Sequence, residues 1–163
     1  GRPDMAGAPK AAAAQKPVDG AAMVAARQSF ADGPSSNFMI ISDGFARRGD
    51  FANAAGVLQA ALRKNPKDGA AWLGMANALV EQADGQMTPA ALYAYRQAAE
   101  VDPQNAGPAY FLGVAMIRSG RLIEGDQLWR EALRKSPADA LWRPDLEQRI
   151  TALESLMRRI AGQ

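Results

Sequence analysis

Three prolines, Pro66, Pro103 and Pro137, punctuate the chain, and each closes a stretch of about 34 residues in which apolar residues recur in the same relative places. Aligned on these prolines, Phe38, Ile41, Phe45, Ala54, Leu58, Ala61 and Leu62 before Pro66 match Ala109, Leu112, Gly113, Met116, Gly125, Trp129, Ala132 and Leu133 before Pro137. The middle stretch carries Trp72, Met75, Ala76 and Leu79, then Ala91, Tyr95 and Ala98, and its proline falls three residues late. The pattern describes paired helices. A small residue at Ala54, Ala91 or Gly125 lets the second helix approach the first, and large residues fill the gap. Proline then removes a backbone donor, clashes with the preceding turn and stops the second helix. One pair alone cannot bury its apolar face, so about three must stack and the ends need caps.

The order of large, small and proline positions is the tetratricopeptide register. The expected fold is therefore all-α, a solenoid of three helix pairs over about 35–68, 69–105 and 106–137. A short helix between Asp19 and Ala31, with Met23, Val24, Ala26 and Phe30 at helical spacing and Gly33-Pro34 as its stop, is expected to cap the open side of the first pair. Ser35 or Ser36 caps the next helix, which runs to about Arg48. Thr88 caps the fourth helix of the pairs with Pro89 at its first position, and turns fall at Gly49-Asp50 and Gly120-Arg121. A final capping helix over about 144–161 carries Leu146, Ile150, Leu153, Met157 and Ile160 on one side, a stripe expected to face the core. Trp72 and Trp129 are expected to pack. Trp142, outside the register, either plugs the end of the stack or stays partly exposed.

Length suits one folded domain, residues 19–163, behind a tail. Residues 1–18, rich in Ala, Pro and Lys, cannot bury enough surface to fold. They are expected to be a flexible tether left after removal of an upstream element, with an expression scar as the alternative. The net charge of +2 makes no case for nucleic acid. No apolar run approaches the roughly 18 residues that span a bilayer, so any membrane attachment comes through a missing upstream anchor. The chain has no Cys and no His. That removes the thiol nucleophile, the commonest general base and the commonest metal and haem ligands. The carboxylate pairs Asp139 with Asp145 and Glu124 with Asp126 have no base or nucleophile beside them, so no catalytic residue, metal site or cofactor is expected.

Beyond the register, several runs carry a more specific likeness. These are Asn77-Ala78-Leu79-Val80 through Gly85-Gln86-Met87-Thr88-Pro89-Ala90-Ala91, then Tyr110-Phe111-Leu112-Gly113, Leu128-Trp129, and Pro137-Ala138-Asp139-Ala140-Leu141-Trp142-Arg143. From about Met23 to the C-terminus the chain resembles the periplasmic domain of the c-type cytochrome biogenesis proteins CcmI, CycH and NrfG. The extension before Thr88-Pro89 and the Trp142-Arg143-Pro144 entry to the last helix are its most specific parts. Leu141 departs from it, standing where many relatives have proline. The resemblance implies a non-catalytic, periplasmic module of an inner-membrane-anchored bacterial protein. Such a module holds apocytochrome c, often by its C-terminal segment, and presents it to haem lyase subunits of the CcmF/CcmH kind. An adaptor or scaffold of an envelope complex is the alternative.

The first helix of each pair should line a concave binding face. By register its inward positions are Met39, Asp43 and Arg47, then Leu73, Asn77 and Glu81, then Tyr110, Val114 and Arg118. Met39, Leu73, Tyr110 and Val114 would receive the apolar stripe of an amphipathic helix, and Asn77 and Arg118 would bond side chains or a terminal carboxylate. The apolar members equally suit ordinary core packing. On the binding reading, Tyr110→Ala and Arg118→Glu weaken client binding and leave thermal stability nearly unchanged. A face that grips the acidic C-terminus of a heat-shock protein needs a cationic cluster, whereas the corresponding positions here are Met39, Asp43, Gly74, Gly107 and Phe111.

Overall fold

The computed structural model describes residues 19–162, and the tether expected over residues 1–18 lies outside them. Among the described residues there are eight helices and no strand: α1 Gly20–Gln28, α2 Asn37–Arg47, α3 Phe51–Lys64, α4 Gly69–Gln82, α5 Pro89–Val101, α6 Gly107–Arg118, α7 Leu122–Lys135 and α8 Arg143–Ala161. Their bounds follow local chemistry. Asp19, Ser36, Asp50, Asp68 and Thr88 each accept a hydrogen bond from a backbone N–H in the first turn of the helix that follows. Helices α3, α5 and α7 end two residues ahead of Pro66, Pro103 and Pro137. Gly49 and Gly120 sit at the same place in their pairs with φ of 78° and 80°, the left-handed turn that a residue with a Cβ rarely adopts.

The helices stack as three antiparallel pairs, α2 with α3, α4 with α5 and α6 with α7, and α8 packs on α7. Across pairs, α2 touches α4 and α4 touches α6, whereas no comparable packing joins α3 to α5 or α5 to α7. The array therefore curves with α2, α4 and α6 on its inner side. Its core is alanine-rich where helices cross, with Ala76, Ala91, Ala94, Ala98 and Ala132 fully enclosed, and Tyr95, Trp129, Leu146, Ile150 and Leu153 fill the space between them. The crossing of α6 and α7 is close, with a glycine on each helix. A Cβ on Gly113 would lie 2.6 Å from the Trp129 ring, and one on Gly125 would collide with Ile117.

Three expectations are corrected here. Helix α1 does not cap the open side of the first pair. Gly20 lies against the Ala46 carbonyl, Arg27 reaches Asp43, and Phe30 reaches α6 and the start of α8, so α1 crosses the inner face. Ile41 is consequently 53% exposed, although it holds the register position of Leu112. Leu112 is half-buried beside α5 of the preceding pair, and α2 has no preceding pair. Finally, the stripe of α8 is buried only through Leu153. Met157 is half-buried and Ile160 is 51% exposed, because the end of α8 and the first turn of α7 flank an open cleft and do not close on each other. Trp142 takes the plug role: its ring lies 4.7 Å from Phe30 and its Nε1 donates to Ser136 Oγ at 2.7 Å. Arg143 donates to the Leu133 and Ser136 carbonyls, closing the C-terminus of α7.

Candidate functional site

The inner face is built from consecutive turns of α2, α4 and α6, and the structure divides the nine expected residues into two groups. Toward the N-terminal ends of α4 and α6, Met39, Asp43 and Leu73 are buried. Met39 rests on Gly74, where a Cβ would lie 3.3 Å from its terminal methyl, and Leu73 presses on Gly107. Asp43 accepts from both terminal nitrogens of Arg27, at 2.6 and 2.8 Å, and that pair is almost wholly removed from water. Tyr110 is half-buried among aromatic rings, with Phe30 stacked at 5.3 Å, Phe111 edge-on at 5.0 Å and Trp129 stacked at 5.9 Å. Burial raises the Tyr110 hydroxyl above its ordinary pKa, partly offset by the Arg149 guanidinium.

Toward the other end lies a polar cluster. Tyr95 Oη donates to Asn77 Oδ1 at 2.7 Å, and both groups are buried. Enclosure drives the Tyr95 pKa far above its ordinary value, with the Glu81 charge adding and Arg118 opposing, so the hydroxyl remains a donor. Arg118 grips Glu81 through both terminal nitrogens. Asn77 Nδ2 has no hydrogen-bond partner among the described residues. Val114 is half-buried against the core and Arg47 is exposed.

Two sequence expectations change with this geometry. Arg118 is already neutralised by Glu81, so it is not a free cation awaiting a carboxylate. Tyr110 is a packing residue as well as a surface one, so Tyr110→Ala must cost stability. Phe30, Arg27 and Tyr95 were missed as members of the face. A signal for Arg27 existed: it follows Val24 by three residues and precedes Phe30 by three, and a cation on an apolar stripe implies a buried partner. The carboxylates weighed for catalysis are engaged or exposed. Glu124 pairs with Arg121, Asp126 with Arg130 and Asp145 with Arg149, while Asp139 sits on an exposed turn. No group of three or more potential metal ligands occurs among the described residues, and none of their helices is long and apolar enough to cross a membrane.

A tetratricopeptide-repeat family model matches residues 45–86. The chain is 31% identical over 109 residues to the cytochrome c-type biogenesis protein CycH of Rhizobium meliloti, an alignment covering 67% of this chain and 29% of that protein. It is 30% identical over 98 residues to CycH of Bradyrhizobium diazoefficiens, covering 60% of this chain and 27% of the relative. The solved structure of the Yersinia enterocolitica type III secretion translocator chaperone SycD superposes with a TM-score of 0.66 at 13% identity, covering 79% of this chain and 98% of SycD. Register, stacking and these likenesses define a tetratricopeptide-repeat solenoid. Within that class the chain belongs to the CycH/CcmI type. It spans under a third of the length of the two CycH proteins.

Proposed function

We propose that this domain is a non-catalytic binding module for c-type cytochrome maturation. It holds apocytochrome c by a C-terminal helical segment on the inner face of α2, α4 and α6. In this reading it works on the periplasmic side of the membrane and presents the client to haem lyase subunits of the CcmF/CcmH kind. The observation that carries the reading is the seat of α1. An amphipathic helix lies on that face, held by an apolar anchor and a buried ion pair, with an aromatic anchor in the turn just after it, the kinds of contact a helical client needs. The likeness to CycH supports the choice of client. Haem attachment itself needs thiolates and iron ligands, and a chain without Cys or His leaves those groups to the client and the ligase.

Tyr110, Val114 and Arg118 are half-buried and within reach of a client, Glu81 lies under its Arg118 partner, and Met39, Asp43 and Leu73 lie beneath or beside the α1 segment. Calorimetric titration with synthetic C-terminal helices of c-type apocytochromes, beside scrambled controls, tests the proposal. Micromolar binding that depends on sequence is expected. If no apocytochrome segment binds, the client assignment fails, and the face belongs to an adaptor or scaffold of another envelope assembly.

A further inference from the structure

We infer that the segment Asp19–Ser36 is a built-in ligand of the inner face, which an incoming client helix displaces, and that its seat selects clients carrying an aromatic side chain about one helical turn after a cation. This rests on the proposed function for the identity of the client, but not for the seat itself.

The segment is attached as a bound peptide is attached. Only Gly20, Val24, Arg27 and Phe30 are buried, while Ala21, Ala22, Ala25, Gln28 and Ser29 face water. Val24 and Arg27 share one stripe of α1, and Phe30 continues it at the same three-residue spacing from the turn that ends the helix. Glycine at both ends of the seat makes the approach possible. A Cβ on Gly20 would strike the Ala46 carbonyl, and one on Gly107 would lie 3.2 Å from Phe30. Phe30 inserts where three separate elements meet: Leu73 of α4, Tyr110 and Phe111 of α6, and Trp142 at the start of α8.

The join to the body is loose. Residues Ala31 to Ser36 are all exposed, and Gly33 takes φ of 90° with nothing within 4 Å of where a Cβ would lie. A crevice of about 440 Å³ opens between this stretch and the loops at Lys67–Gly69 and Val101–Asn105. The buried Arg27–Asp43 pair fixes register rather than adding much net stability, because desolvating two charges offsets most of their attraction. Ile40 and Ile41 on the outer edge of α2 stay exposed, so the segment covers the inner face and leaves that edge open. Its position is that of a ligand, and a face already occupied binds a second helix more weakly by the fraction of time it is free.

The test uses the full chain and two variants, Phe30→Ala and Arg27→Gln, with hydrogen exchange followed by mass spectrometry as the first readout. Amides of 20–28 should exchange at least tenfold faster than those of α4, and faster again in both variants, with α4 to α7 unchanged. Equal protection of α1 and α4 in the native chain overturns the inference. The second readout is binding of a labelled synthetic peptide, residues 19–36, added in trans. It should bind the variants at least tenfold more tightly than the native chain; equal affinity, or none for any of the three, overturns the inference. An apocytochrome helix that binds native chain and variants equally also overturns it and leaves the proposed function standing. If the self-peptide binds the variants and no apocytochrome helix binds any chain, the seat is confirmed and the client assignment falls.

Discussion

Gly113→Ala and Gly56→Ala are the same chemical change on helices of one repeat array, and the structure predicts opposite signs. In a helix interior, Ala is favoured over Gly by about 1 kcal/mol, because Gly loses more backbone freedom on folding. Nothing lies within 4 Å of where a Cβ on Gly56 would project, so the gain of about 1 kcal/mol is realised there in full. At Gly113 the new methyl would lie 2.6 Å from Trp129 Cδ1 and 2.8 Å from its Nε1. Those atoms belong to the inner edge of a buried ring, not to the far end of a mobile chain, and the indole N–H donates to the Tyr110 carbonyl at 3.1 Å. Overpacking costs about 1–3 kcal/mol and the lost hydrogen bond about 1 kcal/mol, so the propensity gain is outweighed and a net loss of about 1–3 kcal/mol is expected. Urea unfolding followed by circular dichroism measures both variants, and a change of 1 kcal/mol corresponds to about 3 °C in Tm for a chain of this size. A Gly113→Ala variant as stable as the parent would refute the claim that glycine at this crossing sets the approach of α6 to α7.

Tyr110→Ala should lower stability by about 2–3 kcal/mol in thermal melts, since the ring is enclosed by Phe30, Phe111 and Trp129, so any loss of client binding must be read at a temperature where the variant is folded. Arg118→Glu sets a second carboxylate against Glu81, whose side chain is 9% exposed, and should cost about 2 kcal/mol, removed by the compensating Glu81→Gln change in a double-mutant cycle. Tyr95 is protonated in the fold well above its ordinary 10.0, and the unfolded chain releases that proton first. Stability is therefore full below about pH 9 and falls above about pH 10 by up to 1.4 kcal/mol per unit, and denaturant titrations across this range should show a shallower decline in Tyr95→Phe. Ser136→Ala strips the Trp142 indole of its acceptor and should cost about 1–2 kcal/mol, visible as a shift in tryptophan emission before the main unfolding transition.

The sequence by itself determined the helices and their pairing. Caps such as Asp19 and Thr88, the left-handed glycines and the three stopping prolines act on backbone within a few residues, so their signals are local and their outcome does not depend on the rest of the chain. The small residues at crossings were legible for the same reason, since Ala54, Ala91 and Gly125 recur at one place in the register. Tertiary structure alone decided what each apolar or charged side chain meets. Ile41 and Leu112 hold one register position, yet only Leu112 has a preceding pair to cover it. Arg118 finds Glu81 from 37 residues away, and Arg27 finds Asp43 from 16, partners that no local pattern specifies. The site was half legible for that reason. Periodicity identified the inward positions of α2, α4 and α6, but whether those positions are open depends on where α1 settles. Its apolar stripe suits either the outer edge of the first pair or the inner face, and the aromatic pocket around Phe30, assembled from α4, α6 and α8, makes the inner face the better seat.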